Sequence, residues 1–184
     1  MIKRKIKKII GNIILASIES LEISKNEKLY SVLKIAHTTE KYRKIREKFL
    51  IREDFRFNGD EILFYGNGKI SCGSNSYIGN YSTILAYDNC LVEIGNNCSI
   101  SHNVRIYTSS KTSDQDLNHT GSKTKKTGNV IIKDGSWIGA NVFINPGITI
   151  GENSIVGSNS VVTKNVEPNA IYGGIPAKLI RYKS

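Results

Sequence analysis

Between Ile132 and Val162 an aliphatic residue falls on every sixth position: Ile132, Ile138, Ile144, Ile150, Val156 and Val162. Four positions after each stands a small or aliphatic residue: Ser136, Val142, Ile148, Ser154, Ser160 and Val166. Glycine directly follows three of the six, at Gly139, Gly151 and Gly157. A period of six matches neither the 3.6 of a helix nor the alternation of a strand. It matches a chain that turns a corner every six residues, with three flat sides closing one coil. That repeat is the signature of a parallel β-helix.

The frame can be followed upstream. Cys72, Ile78 and Ile84 keep it, with Ser76 and Ser82 four positions after the first two. It slips near Asp88 to Cys90 and resumes at Ile94, Ile100 and Ile106. The interval from Ile106 to Ile132 is not a multiple of six, so residues 108–128 are expected to leave the coil. They are polar and turn-rich, which suits an extruded loop. A long loop without structure of its own in a repeat fold is usually functional. After Val166 the repeat ends. Residues 167–184, with Pro168 and Pro176, read as a C-terminal extension covering strand edges that would otherwise stand open.

The N-terminal part reads differently. Ile2, Ile6, Ile9, Ile13 and Ile14 recur at helical spacing among Lys and Arg, and a second helical stretch runs from about Lys28 to Leu50. We therefore divide the chain into a basic helical segment, 1–57, and a β-helix domain, 58–184. The formal net charge is +10. The first 50 residues hold thirteen Lys and Arg against five Glu, which is +8 of it. Such a segment either lies on an anionic membrane surface or packs its apolar stripe on the body or a neighbouring subunit. No nucleic-acid motif accompanies the charge, so nucleic acid is not expected as a partner. The apolar stretch at Ile9–Ile18 is too short to span a bilayer and lacks a clean cleavage site, so a cytoplasmic protein is expected. Cys72 and Cys98 fall on inward positions. With Cys90 they make an odd number without a CxxC, so they read as small buried hydrophobes in a reducing compartment.

The stretch WIGANVFINPGITIGENSIVGSNSVVTKNVEPNAIYGGIPAKLIR, Trp137 to Arg181, resembles the C-terminal half of the hexapeptide-repeat O- and N-acetyltransferases. These include the maltose, galactoside and nodulation enzymes and the sugar acetyltransferases of surface-polysaccharide synthesis. The resemblance covers roughly residues 60–184. It implies an all-β, left-handed parallel β-helix, assembled as a homotrimer with active sites between subunits and acetyl-CoA lying along the coils. On that likeness Ala140 and Ser158 offer backbone groups to the pantetheine amides, and Gly139 and Gly157 keep the wall thin. Thr163, Lys164, Lys178 and Arg181 match positions near the nucleotide end, where cations suit phosphates. Trp137 matches a tryptophan beside the pantetheine end. The competing readings are turn geometry for the glycines, a solvated face for the lysines and plain packing for the indole.

Acyl transfer to a hydroxyl or amine needs a base for the acceptor proton, and histidine suits it. The relatives place theirs at the position of Lys111 here, so the role must have moved or the activity is lost. His37 lies in the helical part. Two candidates remain: His102, at an outward position just before the loop, and His119, inside it. Asp114 or Asp116 would orient the imidazole of His119. Asn80 lies near an acceptor-pocket asparagine of relatives. The expected function is acetyl-CoA-dependent acetylation of a sugar hydroxyl or amino group, the acceptor free or nucleotide- or lipid-linked, in surface polysaccharide synthesis, with no metal required. A catalytically impaired scaffold is the alternative. A carbonic-anhydrase-like metal enzyme would need three converging histidines, and the body has only His102 and His119.

Overall fold

The computed structural model describes residue 14 and residues 23–112, 118 and 124–184. The chain divides into two compact units, Met1–Arg43 and Lys44–Ser184. The N-terminal isoleucine stripe lies outside the described residues apart from Ile14. A helix, Ile23–Lys48, covers the second helical stretch and begins earlier than the sequence pattern suggested. Arg46 and Lys48 stand in its last turn, where cations offset the negative end of the helix dipole.

Parallel strands stack into a β-solenoid with three faces. Face one stacks Leu50–Ile51, Lys69–Cys72, Leu91–Ile94, Val130–Ile132 and Thr149–Ile150. Face two stacks Arg56–Asn58, Tyr77–Gly79, Ser99–Ile100, Trp137–Ile138, Ile155–Val156 and Ala170–Gly173. Face three stacks Leu63–Tyr65, Thr83–Leu85, Arg105–Tyr107, Phe143–Ile144 and Val161–Val162. The six-residue frame becomes three interior columns. Cys72, Ile94, Ile132 and Ile150 are in register on face one. Ile78, Ile100, Ile138 and Val156 are in register on face two. Ile84, Ile106, Ile144 and Val162 complete face three. All are buried, and each such aliphatic contributes about 1.5–3 kcal/mol by leaving water.

The residues four positions on fill the inner corners. Ser76 Oγ accepts the Cys98 N–H at 2.9 Å and donates to the Gly95 carbonyl at 2.8 Å. Ser82 Oγ accepts the Val104 N–H at 3.0 Å. A small hydroxyl therefore satisfies backbone groups that the turn leaves without a ladder partner. Each outer corner needs one left-handed residue. Asn supplies it at Asn75, Asn97, Asn103, Asn141, Asn153, Asn159 and Asn169, with φ of 52–59°, because its short polar side chain tolerates that region. The amides also stack: Asn103 donates to Asn141 at 2.7 Å and Asn141 to Asn159 at 2.9 Å.

The frame slip is an extra turn at Tyr87–Cys90, closed by Cys90 N–H to the Tyr87 carbonyl at 2.9 Å. The departure after Ile106 differs from a structureless loop. Ser109–Lys111 and Lys125–Thr127 pair antiparallel as the stem of a hairpin. Thr108, assigned to the loop by its polarity, is fully buried. It continues the inward alternation of Val104 and Ile106.

Both ends of the solenoid are covered. At the first coil Ile45 and Phe49 are buried, and Arg46 donates to the carbonyls of Arg52 at 2.7 Å and Phe55 at 2.5 Å. Phe55, Phe57 and Phe64 pack edge to face, with ring centroids 5.4 Å apart in each pair. At the last coil Ala170–Gly173 extends face two, and Lys178–Tyr182 folds back antiparallel on it. The C-terminal extension is thus a strand pair capping the face-two edge.

Candidate active site

The corner between faces two and three gathers six of the functional positions expected from the sequence: Asn80, His102, Gly139, Ala140, Gly157 and Ser158. Backbone bonds run up it from coil to coil. Asn103 N–H meets the Asn80 carbonyl at 2.7 Å, Asn141 N–H meets that of His102 at 3.1 Å, and Asn159 N–H meets that of Ala140 at 2.8 Å. Asn80, His102, Ala140 and Ser158 are therefore successive rungs of one column, spaced by the ~4.8 Å between paired strands. Beside it runs a second column of small residues: Gly79, Ser101, Gly139 and Gly157. A Cβ on Gly79 would lie 2.8 Å from the His102 nitrogen, and one on Gly139 would lie 2.6 Å from the Ser158 nitrogen. Coil stacking alone thus demands glycine at both places. Gly157 is looser, with the Tyr172 carbonyl at 3.4 Å.

At the first coils this corner opens into a cleft of about 730 Å³, walled by Asn58, Tyr77, Asn80, Tyr81, Ser101 and His102. Asn80 Oδ1 accepts the Asp60 N–H at 3.0 Å, and a Cβ on Gly59 would overlap that oxygen. Asn80 therefore braces the turn below it as well as lining the cleft. Asn96 and Asp134 do the same at other turns, accepting the N–H groups of Ser74 and Asn96, each at 2.8 Å. His102 is exposed on the cleft wall. Among the described residues nothing hydrogen-bonds its imidazole.

A family model for bacterial transferase hexapeptide repeats (six repeats) matches residues 129–164. The galactoside O-acetyltransferase of Escherichia coli is 33% identical over 141 residues, which is 74% of this chain and 68% of that protein. The chain belongs to the hexapeptide-repeat acetyltransferase family. The hexapeptide-repeat acetyltransferase of Vibrio cholerae, solved with acetyl coenzyme A, superposes with a TM-score of 0.70 at 28% identity, covering 88% of this chain and 91% of that one. A mutant of AntD, an N-acyltransferase of Bacillus cereus solved with dTDP and coenzyme A, superposes with a TM-score of 0.63 at 27% identity, covering 74% and 79%.

The other residues expected in this acetyltransferase fall in three places. Trp137, 51% exposed, stands on the outside of face two in one row with Tyr77, Ser99 and Ile155. Lys178 pairs with Gly173 and Arg181 with Ile171 at the face-two edge, one coil beyond Gly157. Thr163 and Lys164 are exposed at a different corner, between faces three and one. The hairpin leaves from that corner too, with Lys111 exposed and in register with Lys125. A side of six residues at ~3.3 Å each separates the two corners by up to roughly 20 Å. His119, Asp114 and Asp116 lie outside the described residues, and His37 lies on the helix.

Tyr77, Tyr81 and Asn58 line the cleft without having been expected there. Tyr77 shares the outward register of Trp137, which the six-residue frame could have revealed. The thiols play no part in the cleft. Burial pushes those of Cys72 and Cys98 up, disfavouring the nucleophilic thiolate. Among the described residues no three His, Cys, Asp or Glu side chains converge as a metal site.

Proposed function

We propose that this acetyltransferase moves the acetyl group of acetyl-CoA onto a hydroxyl or amino group of a sugar, free or nucleotide- or lipid-linked, with His102 as general base. One observation carries the reading. His102 faces the cleft from the same column that presents Ala140 and Ser158, so a base and the proposed pantetheine shelf stand two coils or less apart. The imidazole takes the proton of the acceptor as its oxygen or nitrogen attacks the thioester carbonyl. The tetrahedral adduct collapses with loss of the C–S bond. The imidazolium returns the proton to the departing thiolate, leaving an acetyl ester or amide and CoA thiol. His119 is the alternative base, with Asp114 or Asp116 as the proposed orienter of its imidazole. The likeness to surface-polysaccharide acetyltransferases supports a role in that synthesis.

The split of the expected residues supports a homotrimer with shared sites. His102, Ala140 and Ser158 stand on one corner, while Thr163, Lys164 and the hairpin stand on another across face three. A single cleft uses both sets when the second corner comes from a neighbouring copy. The test is thiol release from acetyl-CoA by the purified full chain with a panel of galactosides and amino sugars, products being weighed by mass spectrometry. Thiol release that depends on acceptor, with a gain of one acetyl group on the sugar, is expected. No transfer, together with no thermal protection by CoA, would favour a scaffold, since a bound ligand stabilises by mass action.

A further inference from the structure

Tyr81 occupies a left-handed backbone position that the three coils after it give to asparagine. On the corner between faces two and three that residue is Asn103, Asn141 and Asn159 in those coils and Glu61, at φ 54°, in the coil before, but Tyr81, at φ 60°, in the coil that carries the cleft. An aromatic side chain in that region is a steric outlier, since its Cβ crowds the following carbonyl. Strained residues of this kind persist where the surrounding structure holds them and cluster at functional sites. Here the Arg105 guanidinium donates to the Tyr81 carbonyl from the next coil and fixes the turn. Burial does not explain the strain, since Tyr81 is 57% exposed on the cleft wall. Tyr77 lines the same cleft, with the Arg56 guanidinium 5.8 Å from its ring centre.

We propose that Tyr81, with Tyr77, forms an aromatic platform that holds the ring of the acceptor sugar, making Tyr81 a specificity-determining residue. This rests on the sugar-acetyltransferase reading above. A pyranose presents a face of weakly positive C–H groups, which suits the negative face of a phenol ring. Its hydroxyls are left to hydrogen-bond the polar wall, where Asn80 and Ser101 stand beside His102. Aromatic stacking on an apolar sugar face, with a few convergent polar groups, is the usual make-up of a small-molecule site.

The platform makes Tyr81→Asn an informative variant, because it installs the residue that the three following coils use at this corner. Stability and activity should move in opposite directions. The thermal midpoint should rise by a few degrees, and the chain should elute at the wild-type size. With p-nitrophenyl β-galactoside or glucosamine as acceptor, the acceptor KM should rise about tenfold while the acetyl-CoA KM stays within twofold. Tyr81→Phe should behave as wild type, since the ring face rather than the hydroxyl is used. A lowered midpoint or a change of elution volume would mean that Tyr81 serves packing or subunit contact, and the proposal fails. Wild-type transfer with an unchanged acceptor KM in Tyr81→Asn also overturns it, leaving the transferase reading standing. Absence of wild-type transfer to any sugar overturns that reading and this one together.

Discussion

Thr108→Val replaces a buried hydroxyl with a methyl of the same shape, so hydrophobic reasoning alone expects a gain. The structure predicts a loss. Thr108 Oγ1 accepts the Tyr87 N–H at 2.7 Å and donates to the Leu85 carbonyl at 3.0 Å. Leu85 keeps a partner in the variant, because it also accepts the Thr108 N–H at 3.1 Å. Tyr87 does not, and its N–H is left orphaned in a part-buried turn. An unsatisfied donor of that kind costs about 1–3 kcal/mol, against less than about 1 kcal/mol recovered from one more buried methyl. The net loss is about 1–2 kcal/mol. With a urea slope of ~1–3 kcal/mol/M the unfolding midpoint falls by roughly 0.3–2 M, measured at fixed chain concentration because assembly contributes to stability. Thr108→Ser, which keeps the hydroxyl and loses a methyl, should cost about 0.5–1.5 kcal/mol. A Thr108→Val chain as stable as wild type would refute the claim that this hydroxyl secures the extra turn at Tyr87–Cys90.

Other consequences are as direct. Gly139→Ala places a Cβ 2.6 Å from a backbone nitrogen, whereas Gly157→Ala meets nothing nearer than 3.4 Å. Denaturant unfolding should show a loss of about 1–3 kcal/mol for the first and under ~0.5 kcal/mol for the second; equal losses would contradict the stacking argument. Burial raises the Cys72 and Cys98 thiols above their ordinary value, so the folded chain retains protons that the unfolded chain loses above ~8.5. That contribution is fully present below the unfolded thiol pKa and declines as pH rises beyond it. Urea midpoints should therefore drop from pH 8 to pH 10, and Cys72→Ala with Cys98→Ala should flatten the drop; a profile that these replacements leave unchanged would sink the assignment.

The repeat was legible because its information is local. Each inward Ile announces itself six residues from the next, and all of them from Cys72 to Val162 point into the core. The serines four positions on were legible as small residues, though their role in satisfying backbone groups emerges only from the corners. Composition hides Thr108: among Ser, Lys and Thr it looks like loop, yet Val104, Ile106 and Thr108 alternate inward. The cleft was half legible. His102 and Asn80 drew notice as residue types, but their shared column depends on coils of unequal length, with Asn80 bracing Asp60 across an irregular turn. Tyr81 gave no signal at all, because its left-handed backbone is set by its place on a corner rather than by its own preference.

In the proposed mechanism His102 removes the acceptor proton. Steady-state kinetics of acetyl transfer by His102→Ala, beside His119→Ala and wild type, test it most directly. Loss of a general base lowers kcat by about 10²–10⁴-fold. A fall of that size is expected for His102→Ala with the acetyl-CoA KM nearly unchanged, and wild-type chemistry for His119→Ala. A His102→Ala enzyme with wild-type kcat, or a His119→Ala enzyme that loses the activity instead, would contradict it.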